Sequence, residues 1–262
     1  MLTPIILPYK MSSKSARLLR DSLRVEFPRC RMVYPDRHYR PKANHLIINW
    51  GYSGRTVWDI QHTDQMLNKP YAVSRASNKL HTLYYLPEEV RPKYWVLAHK
   101  DRIPEDTPVF CRTLLTSHGG NGIIIANNRS ELVDAPLYTK SYNVAFEYRV
   151  HCTPTQVIDV VQKKRMSTAT CEERGIVRND LIRNHDNGWV FAREDIDVPQ
   201  AILDAAMSAV GALGLNFGAV DIAKTHHNEK PIVVFEVNSA PGLDEGGTTL
   251  QRYLQFFKER CI

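Results

Sequence analysis

The sequence predicts a mixed α/β and α+β architecture, with an open parallel α/β unit at the N-terminus and antiparallel sheet with helices after it. Three observations carry that expectation. PIILP and HLIINWG are apolar throughout and flank the helical segment SSKSARLLRDSLRVEF, as strands buried on both faces do in parallel α/β units. FEYRVHCT and TQVIDVVQKKRM then alternate apolar with polar residues around the turn TPT, as strands of an antiparallel pair do. FGAVDIAK and PIVVFEVN repeat the arrangement around THHNEK.

In chain order, residues 4–8 form the first strand. A helix follows, with Ser12 or Ser13 as N-cap and Ala16, Leu18, Leu19 and Leu23 on its apolar stripe. CRMVYP and HLIINWG add two strands, and this unit closes near residue 75. Residues 76–86 continue as one helix as far as Pro87. KYWVLA, PVFCRTLL and IIIA are strands, with the glycine-rich turn SHGGNG before the last. Residues 167–188 are polar and irregular and predict a long loop. PQAILDAAMSAVGALG is a helix opened by Pro199 and closed by Gly214, and TTLQRYLQFFKERC is a terminal amphipathic helix. The expected units are 1–75, 76–137 and 138–262.

Composition narrows the function classes. The chain has 262 residues, 43% hydrophobic and 24% charged, which suits a soluble globular protein with a sizeable core. No stretch approaches the ~20 apolar residues that span a bilayer. The N-terminal apolar run has no basic region before it and reads as a strand, not a signal peptide. Five scattered cysteines without a C-x-x-C pair indicate neither a zinc ribbon nor a disulfide framework, and fit a reducing cytoplasm. The net charge of +6 suits an anionic partner, for which a phosphate-bearing ligand suffices, and the spread of basic residues argues against a nucleic-acid tail without ruling nucleic acid out.

The chemistry concentrates in PIVVFEVNSAPG. Residues two apart on a strand share a face, so Glu236 and Asn238 point together, with Val234 expected beside them. A hairpin through THHNEK brings Asp221 opposite Glu236. Two carboxylates and an amide oxygen are hard ligands suited to magnesium, which takes its remaining oxygens from water and phosphates. A lone strand glutamate would instead read as one half of a salt bridge, and convergence of three ligands favours the metal. SHGGNGI lets backbone N–H groups approach phosphate, although by itself it reads as a hairpin turn. Arg112 sits inside the apolar VFCRTLL just ahead of it. Glu147 and Arg149 share a face and can pair with each other. Lys163, Lys164 and Arg165 end a strand, where a solvated basic edge is the plain reading, and RNHDNG reads as a polar loop.

In this order the pieces resemble the ATP-grasp superfamily, with the closest likeness to the ribosomal-protein glutamate ligase type, a relative of D-alanine–D-alanine ligases. The likeness covers roughly residues 73–250. Its most specific piece is FGAVDIA with VVFEVNSAPGL, similar to the family's GVDI and EVNxxPGL signature. The resemblance implies an ATP-grasp fold with an N-terminal pre-grasp α/β unit, and ATP and magnesium as cofactors. Lys79 in SNKLHT then matches a nucleotide lysine. Arg112 takes the place of a second lysine, which is a departure that keeps the charge. Ser117, Gly119, Gly120 and Gly122 match the loop over the phosphates. Tyr138 and Thr139 in LYTK match the hinge that holds adenine, with Tyr138 standing where the family more often has Glu. Glu147-Tyr148-Arg149 matches D-x-R, and Lys163 with Lys164 a basic pair. Asn184 matches an RSNxxxGG-like segment of which Gly188 remains, and Asp221, Glu236 and Asn238 match the magnesium ligands.

The implied reaction joins a carboxylate to an amine through an acyl phosphate, with Arg149, Arg183 or Lys164 holding the substrate carboxylate and the developing oxyanion. The partners are ATP, a carboxylate and an amine acceptor, which is a free amino acid, a peptide or a protein. Similarity to compact virus-encoded members implies action in a host cytoplasm. Two other readings share the motifs: a kinase of the same fold that phosphorylates a hydroxyl, and a non-catalytic binding module, which Arg112 and Tyr138 would favour and the acidic cluster opposes. A nucleic-acid-end ligase would want a K-x-D-G lysine, and the sequence has none.

Overall fold

A computed structural model describes residues 1–34, 39–54, 64–116 and 121–262. Apolar N-terminal residues build the first sheet. Strands β1 (Thr3–Pro8), β2 (Arg31–Met32), β3 (His45–Trp50) and β4 (Met66–Leu67) pair in the order β2-β1-β3-β4, all parallel. Ile5, Ile6, Leu7, Ile47 and Ile48 are buried because both faces are covered. Helix α1 (Lys14–Arg24) starts at Ser13, whose hydroxyl accepts from the Ala16 N–H at 3.3 Å. Ala16, Leu19 and Leu23 face the sheet.

The helix expected over 76–86 is two helices. α2 (Pro70–Ser77) ends at Asn78, which is extended at φ −102° and ψ 114°. The Asn78 side chain accepts from the N–H groups of Leu80 and His81 and so caps α3 (Lys79–Tyr85). A short amide side chain that can bond nearby backbone competes with helix continuation, which is the reason for the break.

Strands β5 (Tyr94–Val96), β6 (Val109–Arg112), β7 (Ile123–Ala126) and β8 (Leu137–Lys140) form an antiparallel sheet in the order β5-β8-β6-β7. Its own core holds Trp95, Val109, Cys111 and Tyr138. A second antiparallel sheet contains β9 (Val144–Cys152), β10 (Val157–Arg165), β11 (Trp189–Ala192), β12 (Gly218–Thr225) and β13 (Ile232–Asn238), ordered β11-β10-β9-β12-β13. β11 lies just beyond the expected loop, and that loop also contains the short helix α4 (Thr168–Glu173).

Both faces of the five-stranded sheet are used. On one, α5 (Gln200–Ala212) packs with α2 and α3 over Tyr148, Val150, Val220 and Ile222. Toward the other, α6 (Thr248–Cys261) joins α1 and β1 in a core of Ile6, Leu19, Trp50, Phe217, Tyr253 and Phe257. The Leu2 N–H donates to the Cys261 carbonyl at 2.6 Å, so the last helix is tied to the first strand. That packing leaves one stretch of the sheet uncovered by helix, and the charged residues lie there.

Candidate active site

Strand register sets the site. Three rows cross the sheet from β10 to β13: Lys163–Glu147–Ala223–Val233, then Val161–Arg149–Asp221–Glu236, then Asp159–His151–Ala219–Asn238. Directly opposed residues share a face, so Glu147, Arg149, Lys163, Asp221, Glu236 and Asn238 project from one side. The expected hairpin pairing of Asp221 with Glu236 is present. Val234 does not join them. A β-bulge follows the Asp221–Glu236 pair, Ile222 opposes Val234, and Phe235 is the extra residue. The bulge turns Val234 into the apolar core and leaves Glu236 and Asn238 facing outward together.

Within this patch the charges are paired. Arg149 donates from Nε to Asp221 Oδ1 at 2.7 Å and from Nη2 to Oδ2 at 2.8 Å. Lys163 donates to Glu147 Oε1, and its Nζ lies 3.8 Å from Asp221 Oδ2. Burial disfavours the Asp221 carboxylate, but Arg149 and Lys163 outweigh it and hold the group well below the usual carboxylate range. Burial likewise opposes charge on Lys163, and Asp221 and Glu147 hold its pKa above the ordinary value. Arg149 also lies over the Phe191 ring at 4.8 Å from its centroid.

The opposite wall brings further cations. Lys79 opens α3, and its N–H donates to the Leu115 carbonyl at 2.9 Å, which fixes it beside the chain leaving β6. Arg112 ends β6 and donates from Nε to Thr139 Oγ1 at 3.1 Å. Burial lowers the pKa of both Lys79 and Arg112, and the charge of Glu236 acts on both in the opposite sense. Glu236 therefore lies within electrostatic reach of both cations. Gly122 adopts φ +73° where its carbonyl accepts from the Thr113 N–H at 2.8 Å, a close turn that a side chain would strain. Ser117, Gly119 and Gly120, expected over the phosphates, lie outside the described residues.

Arg183 and Asn184 come to the same place from the α4–β11 connection. Arg183 Nη2 donates to the Val144 carbonyl at 3.0 Å, and its guanidinium lies 4.4 Å from the centroid of Trp189. The Asn184 side chain accepts from the Asn187 N–H and caps a short turn closed by Gly188 at φ +79°.

Three expected residues are placed otherwise. Tyr138 is fully buried in the small-sheet core, where its hydroxyl accepts from the Ala135 N–H and donates to the Val133 carbonyl. Thr139 orients Arg112, and the strand holding both residues pairs with β5 on one side and β6 on the other, so its backbone is committed. The chain after it, Tyr142 and Asn143 with Val144 at the start of β9, lines the cavity instead. Lys164 lines the cavity's edge, but it alternates away from Lys163, and its ammonium is committed to the carbonyls of Glu194 and Asp195. Sequence reasoning did not reach Phe191, Trp189 or residues 142–144. The short apolar run WVFA and the aromatic Tyr142 were the available signals.

Arg112, Arg183, Asn184 and the sheet residues, but not Lys79, line a cavity of about 1000 Å³, large enough for a nucleotide. Phe110, Ile123, Tyr142, Val144 and Phe146 supply an apolar side. The charged lining has six cations (Arg112, Arg149, Lys163, Lys164, Arg165, Arg183) and four carboxylates (Glu147, Asp180, Asp221, Glu236), an excess of two positive charges. A second cavity of about 430 Å³ adjoins it, and Arg149 and Glu236 line both. Its other walls are Tyr9 and Ser13 from the first sheet unit, Ser77, and the Asn238–Gly242 turn. Hard oxygens beside a cationic, partly apolar cavity fit a magnesium nucleotide. Asp221 already accepts from Arg149 through both oxygens, and each oxygen keeps a second lone pair for a metal.

No protein-family model matches the sequence, and no curated protein matches it. Solved structures share the fold along the whole chain. The D-alanine–D-alanine ligase of Bacillus anthracis superposes with a TM-score of 0.59 at 12% identity, covering 99% of this chain and 100% of that one. The D-alanyl-alanine synthetase A of Vibrio cholerae gives 0.62 at 13%, covering 99% and 97%. The ATP-grasp ligase PsnB, complexed with a phosphomimetic variant of a minimal precursor, Mg and ADP, gives 0.63 at 10%, covering 100% and 99%. The chain has the ATP-grasp fold.

Proposed function

We propose that the chain is an ATP-dependent carboxylate–amine ligase of the ribosomal-protein glutamate ligase type, forming an amide through an acyl phosphate. The observation that carries this reading is the Arg149–Asp221–Glu236 row, of which Arg149 and Glu236 line both cavities and Asp221 lines the larger one. The larger cavity takes ATP, and the smaller one takes the carboxylate substrate. The solved ligases of the same fold support it, being described as joining D-alanine units or as bound to ADP and peptide precursors.

Asp221, Glu236 and Asn238 would hold magnesium. Bound Mg-ATP supplies the phosphoryl group that activates the carboxylate. The chain's own residues orient and neutralise. Lys79 and Arg112 face the phosphates from the α3 and β6 side, with Gly122 closing the described end of the loop above them. Arg149, fixed by Asp221, presents its remaining N–H groups toward the smaller cavity and holds the carboxylate or the oxyanion formed from it. Lys163 keeps Glu147 and Asp221 neutralised while the second cavity fills. Arg183 closes the adenine side through Val144. The two antiparallel sheets are the lobes that grip the nucleotide, preceded by the 1–75 unit, with the division between lobes in the connection from β8 to β9, past the 137–138 boundary expected from the sequence.

Calorimetry tests the nucleotide site. ATP should bind only with magnesium, and Glu236→Ala should abolish that binding. An amine-dependent release of phosphate from ATP and a carboxylate then separates a ligase from a kinase. A protein that binds no Mg-ATP would end this reading.

A further inference from the structure

Basic residues are spread along the chain, but the net positive charge is not. Residues 10–31 hold seven of the 34 basic residues and two of the 28 acidic ones, a net +5 against +6 for the whole chain. They form α1 and its flanks. Ala16, Leu19 and Leu23 bury one face of that helix, and Lys14, Arg17 and Arg24 are exposed on the other. Arg29 and Arg31 extend the surface past its end and are also exposed. We propose that this face docks the phosphate backbone of a nucleic acid.

Three features separate it from an ordinary solvated helix face. First, the charge is placed against the helix dipole. The first turn of α1 has no acidic residue and carries Lys14 and Arg17, where anions are the stabilising choice. Second, the guanidiniums are held in place. Arg17 Nε donates to the Met11 carbonyl at 2.9 Å, and Arg24 Nε to the Cys30 carbonyl at 2.8 Å. Their Nη groups have no hydrogen-bond partner among the described residues. Each side chain is thus ordered in advance, with the edge that recognises phosphate left available. Third, the acidic residues present are committed. Asp21 accepts from Nε and Nη2 of Arg20, and Glu26 pairs with Lys258.

An acidic protein is the other polyanion to weigh. Protein partners take most of their affinity from aromatic or apolar anchors in desolvated pockets. The exposed apolar side chains here are Val25 at the end of α1 and Tyr9 and Tyr34 beside it; Tyr9 lines the second cavity at the edge of the basic face, and Val25 and Tyr34 line neither cavity. A phosphate backbone needs no anchor, because release of counterions drives its binding. The second cavity abuts this surface through Tyr9, Ser13 and Ser15, so a docked chain would pass its mouth.

This inference does not rest on the ligase reading, since the binding is measured without ATP. A fluorescein-labelled DNA duplex of about 20 base pairs is titrated by anisotropy between about 50 and 200 mM salt. Binding is expected at low salt, with log K falling against log salt at a slope of about −3 or steeper. The Lys14→Ala/Arg29→Ala variant removes two exposed side chains that make no hydrogen bond among the described residues. It should flatten the slope by roughly 2 and weaken binding at least tenfold at low salt. Arg102→Ala/Lys224→Ala removes equal charge elsewhere and should leave the slope unchanged. Absence of binding at low salt overturns the proposal, and so does equal flattening by the control pair. Displacement of the duplex by polyglutamate at lower total charge also overturns it, in favour of an acidic protein.

Discussion

Arg149 and Asp221 stand directly across β9 and β12 and share two hydrogen bonds, at 2.7 and 2.8 Å. The pair occupies the centre of the charged face, with Glu236 on one side and Lys163 close on the other. It fixes the guanidinium in one orientation and leaves the carboxylate ionised.

Removing the arginine strands a buried carboxylate. Asp221 is 6% exposed, and breaking such a pair from one side costs about 3–5 kcal/mol. Arg149→Ala should therefore lower the denaturant midpoint sharply. Arg149→Lys keeps a charge but loses the two-pronged geometry, and should cost about 1–3 kcal/mol. Urea unfolding of both variants measures this, and an alanine variant within about 0.5 kcal/mol of the parent would show that the pair does not matter to the fold.

Arg112 provides a test of the nucleotide wall that leaves the magnesium set untouched. A charged hydrogen bond to phosphate is worth about 1.5–3 kcal/mol, so Arg112→Ala should weaken Mg-ATP binding roughly 10- to 100-fold. Thr139→Val removes only the acceptor that orients Arg112 and should weaken it by a smaller factor. Equal affinity in Arg112→Ala and the parent would take this residue out of the site.

Asn78 governs the position of Lys79. Its side chain caps α3, and loss of such a cap costs about 1 kcal/mol, against a few tenths when glycine replaces it. Asn78→Ala should show that loss in thermal unfolding and Asn78→Gly should recover most of it. The reverse order would mean the side chain does not cap.

How much of this was legible in the sequence depended on whether a signal was local. The pairing of Asp221 with Glu236 followed from the strand period and a hairpin between two strands. The bulge at Phe235 did not, because a single extra residue leaves no mark in an apolar run, and Val234 was put on the wrong face by strict alternation. Lys164 was grouped with Lys163 although the same alternation separates them. Tyr138 was legible as a strand residue but not as a core one, since its hydroxyl is satisfied by the local backbone of Val133 and Ala135. The break at Asn78 was signalled by a residue that favours caps over helix interiors, and the helical spacing of Ala76, Leu80 and Leu83 across it concealed that.

His151 gives the fold an acid sensitivity with a defined window. It lies on the row below Arg149, 3% exposed, with Nδ1 3.2 Å from the Tyr253 hydroxyl. Burial, reinforced by Arg149, lowers its pKa to about 4. The unfolded chain titrates near 6.5. Between these values the unfolded state binds the extra proton and the folded state does not, so stability falls as pH drops from about 6.5 to about 4. The full shift corresponds to about 3 kcal/mol. Asp221 acts in a separate range, because its depressed pKa stabilises the fold above the ordinary carboxylate value and is lost only below it. His151→Gln cannot take up this proton and should flatten the decline between pH 6.5 and 4 while retaining the steeper loss at lower pH. Urea midpoints across pH 4–7 decide it: parallel curves for parent and variant would place the acid sensitivity elsewhere.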